Sequence, residues 1–130
     1  MANLGLGTRI KLAIPVYKSK LEEAWAIELE KLRAAGELFL WRYEAMGLRI
    51  GPDCVWWPDF VGIRRDGQLV VYEVKGRRRD DGMAKLRVAA QQWPELRIYL
   101  VTRDGGRRGT WKVEQVVPHG MAWPPGRLER

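Results

Sequence analysis

Two acidic residues and a lysine lie where the sequence is otherwise apolar. Glu73 and Lys75 end the run Gln68 to Lys75, and Asp59 lies in an apolar and aromatic run 14 residues before Glu73. Charges among apolar neighbours are costly unless they pair or serve a purpose. Two carboxylates at one opening repel each other, and Mg²⁺ or Mn²⁺ would relieve that repulsion, with phosphate oxygens completing its coordination shell. The pattern therefore predicts a carboxylate metal site that can meet a phosphate.

Each of these residues also has a plainer interpretation. Glu73 and Lys75 could be an ordinary ion pair at the wet end of a strand, and Asp59 could be a turn or cap residue. We favour the metal site because a tight turn with the pair Asp66-Gly67 lies midway between the two acids. Such a turn predicts an antiparallel hairpin that brings Asp59 beside Glu73.

The elements that must position these residues follow from periodicity and from turn signals. Leu21, Trp25, Leu29 and Leu32 predict a helix from Ser19 to Ala35 that stops at Gly36. Trp25 and Trp93 fall on apolar helix faces, whereas Trp56 or Trp57 could be exposed. The other predicted elements are an extended segment Arg9 to Val16, strands Leu38 to Met46, Cys54 to Ile63 and Gln68 to Lys75, a helix Asp81 to Trp93 capped by Asp80 or Asp81, and strands Leu96 to Thr102 and Trp111 to Val117.

These elements predict an α/β fold with a mixed β-sheet flanked by helices. The core elements follow the order αβββαβ, and the last predicted strand comes after them. At 130 residues and 15.0 kDa, we expect one domain over residues 1–130. Its core would cover about residues 17–102, with an extended N-terminal segment 1–16 and a C-terminal strand and tail 103–130.

Composition restricts the partners and the metal chemistry. The net charge of +7 and a pI near 9.9 favour a polyanion such as nucleic acid. One cysteine, Cys54, and one histidine, His119, cannot build a four-ligand zinc site, so carboxylates must carry any metal, and we expect no organic cofactor. We leave His119 as a surface residue. No apolar run approaches the roughly 20 residues of a membrane span, and no export signal is evident, so we expect a cytoplasmic protein that does not enter the membrane.

Pro58-Asp59 followed by Glu73-Val74-Lys75 resembles the signature of the PD-(D/E)xK nuclease superfamily. Further matches resemble the phage endonuclease I family of Holliday-junction resolvases, and together they cover about two-thirds of the chain, from Tyr17 to Thr102. These matches are Tyr17-Lys18-Ser19-Lys20-Leu21-Glu22-Glu23, Gly76, Asp80-Asp81 and Trp93-Pro94-Glu95-Leu96.

The resemblance implies a restriction-endonuclease-like fold and hydrolysis of DNA phosphodiesters at four-way junctions by a homodimer, in a bacterial or phage-infected cell. It implies one or two Mg²⁺ ions held by Glu22, Asp59, Glu73 and the main-chain carbonyl of Val74. Lys75 would neutralise charge developing on the phosphate or orient the attacking water. Glu22 has a rival role, because Ser19 to Glu22 is also a capping-box pattern, and Glu23 is the adjacent alternative.

Basic residues near the motif are candidate DNA contacts. Arg77, Arg78 and Arg79 follow Lys75 directly and could grip phosphates beside the scissile bond, although a solvated charge run is the plainer interpretation. Further candidates of the same kind are Lys18, Lys20, Lys85 and Arg87. Two alternative functions stay open: another PD-(D/E)xK endonuclease of repair, recombination or restriction type acting on linear or nicked DNA, and a non-catalytic nucleic-acid-binding module.

Overall fold

The computed structural model describes residues 16–76 and 80–118, omitting the side chains of residues 80, 81 and 107. Helix α1 spans Lys20–Ala34, and the Ser19 hydroxyl caps it by accepting a hydrogen bond from the Glu22 amide at 3.1 Å. The chain leaves this helix through Gly36, whose φ of +83° is open to glycine without strain. Helix α2 spans Asp80–Gln92. Both predicted helices are confirmed, although Asp80 and Asp81 lie in the first turn of α2.

A five-stranded mixed sheet forms the centre of the molecule. In spatial order its strands are β1 (Leu38–Tyr43), β4 (Phe60–Arg64), β5 (Leu69–Val74), β6 (Arg97–Asp104) and β7 (Thr110–Val116). The strands β4 and β5 pair antiparallel around the Asp66-Gly67 turn, with Phe60 opposite Tyr72, as the sequence predicts. Strand β5 pairs parallel with β6, and the other neighbours are antiparallel. A short 3-10 turn, Gly106–Arg108, precedes β7.

A second, two-stranded sheet was not predicted. It is the antiparallel hairpin of β2 (Leu48–Gly51) and β3 (Cys54–Trp56). The predicted strand Cys54 to Ile63 is therefore wrong as one element, because it divides into β3 and β4 on either side of Trp57-Pro58-Asp59. Proline has no amide to donate to a sheet, and Pro58 lies at this break. The predicted strand Leu38 to Met46 ends earlier, at Tyr43, and the order between the two helices is five strands rather than three.

Apolar residues fill both faces of the central sheet. On one face, α1 packs through Trp25 and Leu29 against Val70 and Tyr72 of β5. On the other face, α2 and the β2–β3 hairpin cover Val71. Strand β5 is thus buried on both sides, as its apolar sequence predicts for a central strand.

Three predicted regions lie outside the described residues in whole or in part. They are the extended segment Arg9 to Val16 apart from Val16, the arginine run Arg77 to Arg79, and the tail from His119 onward. Among the residues that the structure does describe, neither helix has the length and apolar character that a membrane span requires.

Candidate active site

Asp59 is held at three points although it lies just outside a regular strand. Its carboxylate oxygen Oδ2 accepts a hydrogen bond from the Val74 amide at 2.8 Å, and its own amide donates to Glu73 Oε1 at 3.3 Å. Its carbonyl accepts from the Glu44 amide at 2.9 Å. The bend at fully buried Pro58 thus aims the Asp59 side chain at the end of β5 instead of continuing the strand.

Burial and a second carboxylate change the proton affinity of Asp59. Burial, followed by the negative charge of Glu73, raises the pKa of Asp59 to about 8, with the Glu22 carboxylate acting in the same direction. The hydrogen bond from the Val74 amide opposes this rise. Two acids in one buried place cannot both ionise cheaply without a compensating positive charge.

Glu73 and Lys75 are neighbours on the same face at the end of β5. The Lys75 ammonium lies 3.2 Å from Glu73 Oε2, while the lysine side chain stays 37% exposed. Glu73 therefore contacts both other members of the predicted set: the main chain of Asp59 through Oε1 and the ammonium of Lys75 through Oε2. The structure brings Asp59, Glu73 and Lys75 together as the hairpin predicts.

Glu22 reaches the same place from helix α1. It is buried, and its Oε1 accepts a hydrogen bond from the Tyr43 hydroxyl at 3.0 Å. Ser19 caps the helix with its own side chain, so the Glu22 carboxylate is free to turn towards β1. Glu23, the alternative, is exposed and pairs with Lys20 at 3.6 Å. The geometry favours Glu22 over Glu23 as the third acid.

These residues line one cleft of about 670 Å³. Its wall contains five predicted site positions, two of the predicted DNA-contact lysines and part of the β2–β3 hairpin. The lining residues are Lys18, Glu22, Val55, Trp56, Trp57, Asp59, Glu73, Val74, Lys75, Gly82 and Lys85.

The predicted DNA contacts divide into two groups. Lys18 and Lys85 line the cleft, and Lys18 also forms an ion pair with Glu44 at 2.7 Å. The Glu44 hydrogen bond raises the pKa of Lys18 in spite of partial burial, and the charges of Asp59 and Glu22 add to this. Lys20 is 88% exposed and pairs with Glu23, and the exposed Arg87 is not among the described cleft residues. The structure does not bring these last two to the site.

The carboxylates suit a divalent cation by their chemistry. They are hard oxygen donors, and a bound cation would offset the burial and the Glu73 charge that raise the pKa of Asp59. However, within residues 16–76 and 80–118, no group of three or more His, Cys, Asp or Glu is arranged as a metal site. Oxygens of Glu22, Asp59 and Glu73 accept hydrogen bonds from protein donors. A cation would have to replace some of these bonds.

Tyr43 and Glu44 are site residues that sequence reasoning missed. The Tyr43 hydroxyl accepts a hydrogen bond from the Lys18 amide at 3.1 Å and donates to Glu22. Burial, with the Glu22 carboxylate acting in the same direction, raises the pKa of Tyr43 to about 12, so this hydroxyl remains a donor at neutral pH. Glu44 has a positive φ of 46°, a conformation uncommon outside glycine. No local signal in the sequence marks these two residues, because the predicted strand continued past them to Met46 and their contacts come from distant segments.

Comparison with protein-family models, with curated proteins and with solved structures gave no match for this chain.

Proposed function

We propose that this chain is a Mg²⁺-dependent endonuclease of the PD-(D/E)xK type that hydrolyses DNA phosphodiesters, with a preference for four-way junctions. One observation carries the proposal: Asp59 and Glu73 meet at the end of a buried hairpin, with the Lys75 ammonium 3.2 Å from Glu73. A plain Glu-Lys ion pair would not require a second buried acid against it. The combination of two acids and a lysine is what the superfamily signature demands.

The fold is compatible with this proposal. Its sheet is mixed, its β4–β5 hairpin carries the motif, and a helix and a parallel strand follow the lysine. These features are expected of a restriction-endonuclease-like core, which we propose as the specific fold. The third acid comes from the first helix, where the family resemblance implies it.

The residues have distinct roles in the proposed reaction. A water oxygen attacks phosphorus, the bond from phosphorus to the leaving oxygen breaks, and no covalent intermediate with the protein is needed. Lys75 places its ammonium where negative charge grows on the phosphate. Glu73 holds this ammonium, while the Val74 amide orients Asp59 and Tyr43 orients Glu22. Both orienting bonds come from rigid elements, which favours a preorganised site.

A divalent cation would be held by Asp59, Glu73, the Val74 carbonyl and Glu22, and it would lower the pKa of a bound water and polarise the phosphate. Mn²⁺ should substitute for Mg²⁺, since both prefer oxygen ligands.

The junction preference and the homodimer rest on the resemblance to endonuclease I resolvases. A symmetric dimer presents two equivalent sites, as paired cuts on opposed strands of a junction require. The net charge of +7 and the cleft lysines, Lys18 and Lys85, support a nucleic-acid substrate in general.

The test offers purified protein a fixed four-way junction, a Y-fork, a nicked duplex and a linear duplex, each with Mg²⁺ and with chelator. We expect Mg²⁺-dependent, paired cuts in the junction, and tighter binding of the junction than of linear duplex at equal salt. Equal cutting of junction and linear duplex, or cutting by a monomer, would favour a general endonuclease at the same site. Binding without any metal-dependent cutting would instead indicate a non-catalytic module.

A further inference from the structure

Trp57 lies at the wall of the acidic cleft with more than half of its surface in water. Its side chain is 58% exposed, and it lines the cleft together with Asp59 and Glu73. Val55, which is 46% exposed, lies beside it on the β2–β3 hairpin. A tryptophan offers the largest apolar surface of any side chain, so leaving it exposed forgoes a considerable gain from burial. Single exposed apolar residues are common, so position and packing must decide whether this one has a role.

One edge of the indole packs against the backbone of Gly47. A Cβ added to Gly47 would lie 2.9 Å from Trp57 Cε2, 3.0 Å from Trp57 Cζ2 and 2.9 Å from Val55 Cγ1. The indole therefore packs against the Gly47 backbone, and a side chain at position 47 would force the Trp57 or Val55 side chain to shift. The residue before a proline is also restricted to extended backbone, and Pro58 is fully buried. Trp57 is thus exposed, with its indole against Gly47 and its backbone restricted by Pro58.

An exposed, preoriented aromatic ring beside a phosphate-directed site suits one class of ligand. Nucleobases stack on such rings irrespective of their identity, because every base has a π-face. A base can reach the ring only when it is unpaired or unstacked, since a duplex keeps its bases inside. The exposed Lys85 on the same cleft offers a positive charge to the phosphate of such a nucleotide.

We propose that Trp57, seated on Gly47, is a stacking site for an unpaired nucleobase of the bound nucleic acid. Its place beside the scissile phosphate rests on the proposed nuclease function, but the binding does not require cleavage. The site would let the protein recognise strands that leave the duplex, as they do at branch points, frayed ends and flaps. It would therefore contribute to substrate choice rather than to the chemical step.

The test measures the affinity of labelled single strands in chelator at fixed salt, so that no cleavage interferes. The probes are an oligo(dT), an oligo(rU), a duplex of equal length and an abasic strand that keeps the sugar-phosphate backbone but lacks bases. The variants are Trp57→Ala, Trp57→Phe and Gly47→Ala, the last of which would displace the indole. Phe39→Ala is the matched control, because Phe39 is 72% exposed and is not among the described cleft residues.

We expect Trp57→Ala to weaken oligo(dT) binding on the order of tenfold, the scale of one lost stacked base. Gly47→Ala should act in the same direction, whereas Trp57→Phe should recover much of the affinity. Affinity for the duplex and for the abasic strand should stay unchanged in every variant, as should all affinities of Phe39→Ala. If Trp57→Ala loses affinity for only one of oligo(dT) and oligo(rU), the result supports the site and shows whether it takes DNA or RNA. If it loses affinity for both, the site contacts the base and does not distinguish the sugar.

The stacking site would be overturned if Trp57→Ala bound both single strands as tightly as the wild-type protein does. It would also be overturned if Trp57→Ala lost as much affinity for the abasic strand as for oligo(dT). If Trp57→Ala does not fold, Gly47→Ala is judged by the same criteria. The proposed function is judged separately, by Mg²⁺-dependent cutting by the wild-type protein. A protein that never cuts, yet loses single-strand affinity on Trp57→Ala, would refute the nuclease and keep the stacking site.

Discussion

Two hollows open beside adjacent residues of strand β5, and they differ more in lining than in size. The cavity beside Tyr72 has about 780 Å³ and is lined largely by Trp25, Leu32, Leu38, Tyr72, Tyr99 and Val113. The cleft beside Glu73 has about 670 Å³ and is lined by the acids and lysines of the candidate site. Because successive side chains of a strand point to opposite faces, adjacent residues serve the two hollows.

The larger hollow is built mainly of aromatic and aliphatic side chains, with Glu37, Arg64, Arg65 and Asp66 also in its wall. Its rings contact each other, with Tyr72 stacked on Tyr99 at 5.5 Å and Trp25 edge-on to Tyr72 at 5.6 Å. At its border, Arg64 and Asp66 pair with each other at 3.5 Å. In the cleft, by contrast, burial and the neighbouring Glu73 carboxylate raise the pKa of Asp59. A large apolar pocket is the usual first candidate for a binding site, but the buried acids make the cleft our candidate for the active site.

The largest effect should come from removing the central acid. Asp59→Asn keeps an acceptor for the Val74 amide but loses the charge that a cation needs. Cleavage should fall by about a thousandfold or more, while junction binding stays equal or improves, because negative charge near phosphate is lost. Tyr99→Phe, on the other side of the sheet, is the control and should cut normally. Near wild-type cutting by Asp59→Asn would remove Asp59 from the active site.

Substitution of a residue that lines the aromatic cavity should instead change the stability of the protein. Trp25 is buried against Tyr72 and Trp111, so Trp25→Ala should lower the free energy of unfolding by about 3 kcal/mol. Turnover by the folded fraction should be unchanged in conditions where the variant is fully native. Denaturant unfolding followed by far-UV circular dichroism measures the first quantity. A stable Trp25→Ala protein with lost turnover would mean that the two hollows are not separate in function.

Lys75→Ala should lower kcat by about a hundredfold, the scale of one lost electrostatic contact in a transition state. The effect should fall on turnover rather than on KM, because charge develops on the phosphate only during reaction. Lys112, which pairs with Glu114 at 2.9 Å on β7, provides the matched lysine for a Lys112→Ala control. A change in affinity alone would make Lys75 a phosphate clamp.

Glu22→Gln separates the metal role from the hydrogen bond to Tyr43. Glutamine can still accept from the Tyr43 hydroxyl, but it is a poor metal ligand. We expect about a tenfold loss of cutting that excess Mn²⁺ partly restores, on the scale of a lost contact around a metal. Stability should change little. Normal cutting would assign Glu22 to packing and leave Asp59 and Glu73 as the carboxylate ligands.

Stability should also vary with pH in a way that reports on Asp59. Its pKa is raised from 3.8 to about 8 in the folded protein, so folding favours the protonated form. That contribution is complete below about pH 4 and is lost as the pH rises through about 8, at no more than about 1.4 kcal/mol per pH unit. Subtracting the unfolding curve of Asp59→Asn isolates it, and Mg²⁺ should reduce the slope. A flat difference would mean that Asp59 is ionised in the folded protein.

Sequence reasoning located both helices and the β4–β5 hairpin, because each has a local signal. Ser19 and Gly36 mark the limits of α1, and the Asp66-Gly67 turn sets the register that places Asp59 beside Glu73. The prediction from sequence failed between Cys54 and Ile63, where one apolar run belongs to two strands in different sheets. Buried positions on either side of Pro58 are apolar whether or not the strand continues, so periodicity could not show the break.

The sequence by itself determined that a carboxylate pair and a lysine lie at one end of a buried hairpin, since a tight turn and alternating side chains are local properties. Only the tertiary structure decided that Tyr43 orients Glu22, across 21 residues, and that Trp57 is exposed while Trp56 is buried. It also decided that Lys18 faces the cleft and Lys20 does not. These outcomes depend on how α1 and the β2–β3 hairpin pack on the sheet, and contacts between distant segments leave no periodic trace in the sequence.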